Sequence, residues 1–220
     1  MQRIPEPELM NEPEQARAYA QADFAEPHQA FVEHFRQCFP GHCPRQVLDL
    51  GCGAADITIR FARAYPECTL TGVDGATAML GFARAAVAQA GLGDRIQLQQ
   101  ARLPETTLLR GVFDTVISNS LLHHLRDPQT LWQAVKQYAA PGAAVFVMDL
   151  RRPDSREQAS AIVEQYSGTE PEILKRDFFN SLLAAFRPDE ITEQLAQAGL
   201  APFRVEAAGD RHVMVHGVME

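Results

Sequence analysis

The chain has 220 residues, a formal net charge of −8, 46% hydrophobic residues and 22% charged residues. This size suits one domain with a full core, and apolar runs break well before the 18 residues or more that a membrane span needs. Residues 1–6 lack the apolar core of a signal peptide, and basic residues cluster only in pairs such as Arg151-Arg152. We therefore expect a cytoplasmic protein that neither spans a membrane nor tracks a phosphate backbone.

The four cysteines form no Cys-x-x-Cys pair. Cys38, His42 and Cys43 lie close together in the sequence, but no second cluster completes a tetrahedral ligand set. We expect free, reduced thiols and no bound metal.

The first forty residues precede the sheet and predict two helices. Asn11 can cap a helix over residues 12–24, and Pro27 opens a second one. In the second helix Phe31, Val32, Phe35 and Phe39 recur at helical spacing, which indicates that it covers one edge of the core.

A strand, a glycine turn and a helix follow at residues 47–64. Residues 47–50 (Val-Leu-Asp-Leu) are a short buried strand, Gly51 and Gly53 turn the chain, and a helix runs over residues 55–64. Such a turn lets a ligand lie against bare backbone and a helix N-terminus. A dinucleotide fingerprint would have a third glycine where Asp56 stands, and it rarely carries an acid at the position of Asp49.

The alternation of strands and helices continues to residue 150. Strands are predicted at residues 69–73, 95–99, 113–118 and 143–150, and helices at 76–90 and 128–138. Asp74 follows the second strand, at the distance from Gly51 where a carboxylate can accept both hydroxyls of a ribose. A last helix ends at Gly199, and residues 203–207 and 212–217 predict an antiparallel hairpin.

Three segments together resemble the class I S-adenosylmethionine (SAM)-dependent methyltransferases. Residues 47–53 (Val-Leu-Asp-Leu-Gly-Cys-Gly) are similar to motif I, residues 72–74 (Gly-Val-Asp) to motif II, and residues 119–128 to motif IV of the small-molecule enzymes. The resemblance implies an α/β fold: a Rossmann-like, doubly wound, mostly parallel seven-stranded sheet with an antiparallel C-terminal hairpin. N-terminal helices close over the cofactor in this family. We therefore expect one domain over residues 1–220, with an N-terminal helical lid (1–40) and a small helical cap (151–187).

The resemblance implies SAM as cofactor and S-adenosylhomocysteine as product. Met79 either packs in the core or covers the adenine, and Tyr19, Asp23 and Phe24 are candidate lid residues. Family members often place an acid after the third strand, where this chain has none, so Gln100 or the backbone of the next two residues could substitute. The predicted cofactor-binding residues are Tyr19, Asp49, Gly51, Cys52, Gly53, Asp74, Gly75, Met79, Gln100, Ala101, Arg102, Asn119 and Ser120.

The loop after the fourth strand is expected to face the transferred methyl group. SAM carries an activated methyl, so the protein mainly has to position an acceptor in line with the sulfur–methyl bond. Asn119 and His123 are the candidate catalytic residues, and His123 or His124 could serve as a base if the acceptor must lose a proton. The family often has a histidine at the position of His124, where it can be structural. We therefore favour His123 as the contact with the acceptor, although both histidines could simply pack.

Residues 151–187 are too long for an ordinary connection and predict two helices, which we interpret as a cap that selects the acceptor. Phe179, Leu182, Leu183 and Phe186 form the stripe expected to pack on the domain. The remaining candidates for substrate contact, besides His123 and His124, are Arg151, Tyr166, Phe178 and Arg187.

These features predict a methyltransferase that acts on a small molecule, as a monomer or homodimer. Methylation of RNA or protein by the same core is one alternative, but it predicts a basic groove or an added recognition domain, and neither is visible. A SAM-binding regulatory module without catalysis is the other, since motifs I and II bind without reacting.

Overall fold

A computed structural model describes residues 1–104 and 110–220. In these residues seven strands form one sheet in the order β3-β2-β1-β4-β5-β7-β6. Strands β1 to β5 pair in parallel, and β7 lies antiparallel between β5 and β6. The predicted Rossmann-like sheet with its antiparallel end is confirmed. The strands are β1 (Gln46–Leu50), β2 (Thr69–Asp74), β3 (Ile96–Gln100), β4 (Phe113–Asn119), β5 (Ala139–Leu150), β6 (Arg204–Ala208) and β7 (His212–Val218).

Eight α-helices are present in the described part of the chain. They are α1 (Pro13–Gln21), α2 (Ala25–Cys38), α3 (Asp56–Ala64), α4 (Thr77–Gln89), α5 (Gln129–Tyr138), α6 (Arg156–Ser167), α7 (Glu172–Ala184) and α8 (Pro188–Ala198). Helix α1 ends three residues before the predicted end, and α2 begins two residues before Pro27. Strand β5 also begins earlier than predicted, because Ala139 pairs with Phe113 across an irregularity in the register.

Both faces of the sheet are covered, as a doubly wound fold requires. Helices α5 and α8 bury Trp132 and Tyr138 on one face, and α2, α3 and α4 cover the other. On that second face the ring of Phe35 lies 4.9 Å from Phe61 in an edge-on contact. Helix α2 is therefore part of the core, and its buried aromatic rings stabilise the fold by about 1.5–3 kcal/mol each.

The crevice for a ligand lies where the strand order reverses, between β1 and β4. Asp49 pairs with Ile117 and Leu50 with Ser118, so the two strands end at the same level. The turn after β1 and the loop after β4 therefore meet at the carboxyl edge of the sheet.

Two further segments cover this edge. Helices α6 and α7 share a small core of their own, which includes Ile162 and Leu182, at the end of β5. Residues 1–12, here called the N-terminal strap, cross from the α7 end toward the loop after β4. Arg3 of the strap donates from Nη2 to the carbonyl oxygens of His123 and Leu125, at 2.9 Å each. Among the described residues no helix is both long and apolar enough to cross a bilayer.

Candidate active site

The turn after β1 exposes its backbone to the crevice. Gly51 and Gly53 have φ angles of +75° and +53°, a region that favours glycine. A Cβ atom on Gly51 would lie 3.0 Å from Leu121, so the loop after β4 packs directly on the turn. The backbone N–H groups of Gly51 and Cys52 donate to the carbonyl of Val73, which ties the turn to the end of β2.

Asp74 ends β2 with its carboxylate fixed by two backbone donors. Its Oδ2 accepts the N–H of Gly53 at 2.9 Å, and its Oδ1 accepts the N–H of Ala76 at 2.7 Å. Burial raises the pKa of Asp74, and these two hydrogen bonds oppose that shift. A carboxylate offers about four acceptor positions, so both oxygens keep capacity for the hydroxyls of a ribose.

A cavity of about 800 Å³ occupies the crevice, beneath the strap and against α6 and α7. This volume lies within the range of about 300–1,000 Å³ typical of small-molecule sites. Most of the predicted site residues line it: Tyr19, Gly51, Gly53, Asp74, Gly75, Met79, Ala101, Arg102, Asn119, Ser120, His123, His124, Tyr166 and Phe178. The structure therefore gathers residues from the whole length of the chain around one space.

A second cavity, of about 230 Å³, lies at the glycine turn. Asp49 and Cys52 line only this smaller space, which shares Tyr19, Gly51 and Asn119 with the large cavity. Asp49 is buried and accepts the hydroxyl proton of Thr58 at 2.6 Å. Burial, together with the charge of Asp74, raises the pKa of Asp49 to about 7, despite the Thr58 hydrogen bond. Asp49 is thus hydrogen-bonded to α3 behind the glycine turn and does not line the large cavity.

Three predicted residues do not line either cavity. Gln100 is exposed at the end of β3 and donates to Thr77 Oγ1 at 2.7 Å. Arg151 pairs its backbone with Arg211 and donates from Nη2 to the carbonyl of Asp210. Arg187 precedes α8, where Nη2 lies 3.5 Å from Asp154 Oδ1. Each side chain contacts a neighbour outside the two cavities, so the structure does not bring these three residues together with the others.

The cap residues divide much as their helical spacing predicted. Leu182, Leu183 and Phe186 are buried, and Phe178 lines the cavity. Phe179 does not line the cavity; its ring packs against the small core of α6 and α7, with the guanidinium of Arg156 at 5.1 Å. Tyr166 lies at the mouth, where its hydroxyl donates to Asp210 Oδ2 at 2.8 Å.

Arg211 is a cavity residue that the sequence did not reveal. Its guanidinium carbon lies 3.3 Å from the ring centroid of Tyr166, and it lines the cavity beside His212. Burial and the nearby Arg211 lower the pKa of His212 to about 4. Arg211 lies in the polar turn between β6 and β7, and nothing in the sequence of that turn predicted a residue that lines the cavity.

His123 lies on a short 3₁₀ turn after β4 and is held by an acid from the end of β5. Its Nδ1 is 2.5 Å from Asp149 Oδ1, and each of the two residues is 2% exposed. Burial disfavours both charges, but each charge stabilises the other. The pKa of His123 is therefore raised, and that of Asp149 is lowered. Asp149, a lone acid in an apolar strand, was the signal that the sequence analysis missed.

Glu6 of the strap faces both histidines. Its Oε1 lies 3.4 Å from His123 Nε2 and 3.2 Å from His124 Nδ1, and it accepts a hydrogen bond from Ser181 Oγ at 2.9 Å. Burial raises the pKa of Glu6. Burial also lowers the pKa of His124, to about 3, with the charge of His123 adding to the effect. Ionisable groups that are buried or largely buried thus cluster at this end of the cavity, here called the histidine end.

Two strap residues and one aromatic residue close the cofactor end. Glu8 forms an ion pair with Arg102, and Leu9 lies so close to Gly75 that a Cβ atom there would be 2.7 Å from Leu9 Cδ2. The ring of Tyr19 lies 4.8 Å from that of Phe24. Burial, reinforced by nearby carboxylates, raises the pKa of Tyr19 to about 12.

Comparison with known proteins adds an independent finding. A sequence model of the methyltransferase domain matches residues 47–142. The chain is 34% identical over 115 residues to a ubiquinone biosynthesis O-methyltransferase of Azoarcus, covering 51% of this chain and 48% of that protein. It is 33% identical over 102 residues to a trans-aconitate 2-methyltransferase of Deinococcus radiodurans, covering 46% and 36%. The chain thus spans about half the length, or less, of these curated relatives.

Solved structures share the fold over nearly the whole chain. A protein of Methanococcus maripaludis, provisionally described as a SAM-dependent methyltransferase, superposes with a TM-score of 0.76. The two sequences are 15% identical, and the match covers 99% of this chain and 98% of that one. One from Aquifex aeolicus gives 0.67 at 16% identity, covering 95% and 99%. Residues 47–142 thus match the methyltransferase domain, and the chain shares its fold with solved SAM-dependent methyltransferases.

Proposed function

We propose that this protein transfers the methyl group of SAM to a small organic acceptor inside the large cavity. The observation that carries the proposal is the arrangement of that cavity. Its floor is the glycine turn with Asp74, and its other end is the buried His123 beneath the cap. Cofactor and acceptor would therefore meet within one cavity between the strands and the strap.

The cofactor end binds through backbone and one acid. Asp74, held by Gly53 and Ala76, accepts the ribose hydroxyls, while Met79 and the backbone at Ala101 and Arg102 border the place of the base. The bare backbone at Gly51 and Gly53 lets the methionine part approach closely. SAM supplies a methyl on a positive sulfur, already activated for displacement.

The acceptor end is shaped to hold a small molecule. Phe178 and Leu174 supply apolar surface, and His123 and Arg211 supply polar contacts. Alignment of an acceptor atom with the methyl can account for several kcal/mol of the barrier, up to about 7–11 in favourable cases. Where the acceptor must lose a proton, that loss would occur beside His123 and Asp149.

Access to this space is restricted by the strap, by α1 and by the cap formed by α6 and α7. We propose that the strap and α1 act as the lid, and α6 and α7 as the cap, of one domain spanning residues 1–220. Such closure excludes water and also excludes large acceptors. The net charge of −8 and the acids Glu8, Asp23, Glu26, Glu170 and Asp177 around the cavity disfavour a nucleic-acid acceptor. The names of the two curated relatives refer to small organic molecules, which also supports the proposal.

Transfer of labelled methyl tests the function. The full chain is incubated with methyl-labelled SAM and a cell extract separated into metabolite, RNA and protein fractions. We expect label to appear in the metabolite fraction. In the matched control, the Asp74→Ala variant, we expect this incorporation of label to be lost. Label confined to RNA or protein would refute the small-molecule assignment, and label in no fraction would favour a regulatory SAM-binding module.

A further inference from the structure

One group of side chains at the histidine end is more than a packing cluster. Three possible ligand atoms lie within 4.8 Å of one another, where the strap meets the loop after β4: Glu6 Oε1, His123 Nε2 and His124 Nδ1. We propose that these three residues bind a divalent transition-metal ion. Two imidazoles and one carboxylate form a donor set that suits zinc, iron, cobalt or nickel.

The distances around Glu6 agree with coordination. Its Oε1 is 3.2 Å from one imidazole nitrogen and 3.4 Å from the other. Ligands bonded to zinc at about 2.0–2.1 Å in a tetrahedron lie about 3.3 Å apart. The two imidazole nitrogens lie within 4.8 Å of each other, so one ion could bind all three atoms once the side chains adjust.

The surroundings of His123 have the form that metal-binding histidines show. Such a histidine almost always gives its second ring nitrogen to a carboxylate or carbonyl, which fixes the ring and increases its basicity. His123 has this partner in Asp149, whose Oδ1 lies 2.5 Å from Nδ1, so Nε2 is the nitrogen turned toward Glu6. Ser181 donates to the same Oε1 of Glu6 that faces the histidines. His124 Nδ1 also lies 3.3 Å from the carbonyl oxygen of Pro7, a contact that metal binding would replace.

The two acids of the cluster would also balance the charge of an ion. Glu6 faces both imidazoles, and Asp149 contacts the other ring nitrogen of His123. Metal binding requires neutral imidazoles, so the ion would replace the positive charge that His123 carries between these acids. Arg3 of the strap makes its described hydrogen bonds to the carbonyls of Ala184, His123 and Leu125 and acts on the two carboxylates only at longer range.

The position of the site deepens the proposed function. His123, His124 and Ser181 all line the large cavity, so the open side of the ion would face the acceptor. Hydroxyl and carboxylate oxygens are suitable fourth ligands, and coordination lowers the pKa of a bound hydroxyl. We infer that the acceptor carries such an oxygen, a point that rests on the proposed function, whereas metal binding itself does not.

The first experiment measures metal binding alone. The full chain is freed of metal with a chelator, and Zn²⁺ is then titrated by calorimetry and Co²⁺ by visible absorption. We expect one equivalent to bind, with a Co²⁺ spectrum that lacks the thiolate charge-transfer band that Cys38 or Cys43 would give. Absence of saturable binding in the wild type, or binding with a thiolate band only, would overturn the proposal without any variant.

Variants locate the ion. Glu6→Gln and His124→Ala remove ligands and should weaken Zn²⁺ binding by at least tenfold. Asp149→Asn removes the partner of His123 and should weaken it by about 10–100-fold. Glu8→Gln is the matched control, since Glu8 lies in the same strap but pairs with Arg102 and should bind Zn²⁺ like the wild type. Equal affinity in all four variants would overturn the assignment.

Binding of S-adenosylhomocysteine to the metal-free proteins separates this inference from the proposed function. A variant that binds S-adenosylhomocysteine as tightly as the wild type is folded and has an intact cofactor site. A chain that binds S-adenosylhomocysteine but no metal would overturn the metal site and leave the methyltransferase proposal standing. A chain that binds metal but not S-adenosylhomocysteine would overturn the proposed function instead.

Discussion

The Nδ1 atom of His123 lies 2.5 Å from Oδ1 of Asp149, and the other oxygen of that carboxylate accepts the backbone N–H of Leu122 at 2.7 Å. One acid at the end of β5 thus fixes both the side chain and the backbone of the loop after β4. Because the pair is buried, its orientation toward the cavity is set before any ligand arrives. This pre-organisation is what positioning an acceptor requires.

Replacement of His123 should separate catalysis from cofactor binding. His123→Asn keeps a polar side chain but removes the imidazole at the acceptor end, so turnover on a surrogate acceptor should fall by about 100-fold. The affinity for SAM should stay nearly constant, because the proposed cofactor contacts lie at the glycine turn and Asp74. Initial rates and calorimetry on the same preparation check this. Parallel losses of turnover and SAM affinity would show that His123 has a structural role only.

Asp74 should dominate binding of the ribose. Asp74→Ala removes a fixed, charged acceptor, which should cost about 1.5–3 kcal/mol of SAM affinity, or roughly 10–150-fold. Calorimetric titration with S-adenosylhomocysteine measures the loss. Asp94→Ala is the control, since Asp94 is exposed beyond α4 and lines neither cavity. Unchanged affinity in a folded Asp74→Ala protein would reject the ribose assignment.

Phe178 and Phe179 are adjacent residues with different surroundings, and they make a matched pair. Phe178→Ala, like Tyr166→Ala, alters the wall of the cavity, so we expect a higher KM for the acceptor or a changed acceptor preference. Phe179→Ala removes a ring that contacts Arg156 outside the cavity, so acceptor kinetics should stay like the wild type. Steady-state kinetics at saturating SAM compare the three variants. If Phe178→Ala and Tyr166→Ala match the wild type, the cap only packs.

Asp49 should make the stability of the ligand-free protein pH-dependent. Its folded-state pKa is raised to about 7, above an unfolded value of about 3.9. The folded state therefore binds the proton more tightly, and the contribution of Asp49 to stability is present at low pH and lost as pH rises through 7. Asp49→Asn should gain stability relative to the wild type by about 1–3 kcal/mol between about pH 5 and pH 8. Urea unfolding at both pH values measures the difference, and a constant difference would contradict the shift.

The sequence by itself determined the fold and the cofactor end. Residues 47–53 and Asp74 could be assigned because strand, turn and acid follow one another locally, and backbone geometry dictates where such residues must lie. The helical positions of Phe178 and Phe179 likewise predicted that they do not face the same way, since helical residues one apart diverge by about 100°.

Only the tertiary structure decided the histidine end. Glu6, His123 and Asp149 come from the strap, the loop after β4 and the end of β5, and no local pattern connects them. The same limit explains why the sequence proposed Arg151 and Arg187, which do not line the cavity, and did not propose Arg211, which does. The partner of a long charged side chain depends on which residues pack near it. Arg151 contacts Asp210 and Arg187 contacts Asp154, both outside the crevice. The periodicity of a sequence fixes which face of an element is apolar, but the partner of a charged group depends on which elements the fold brings together.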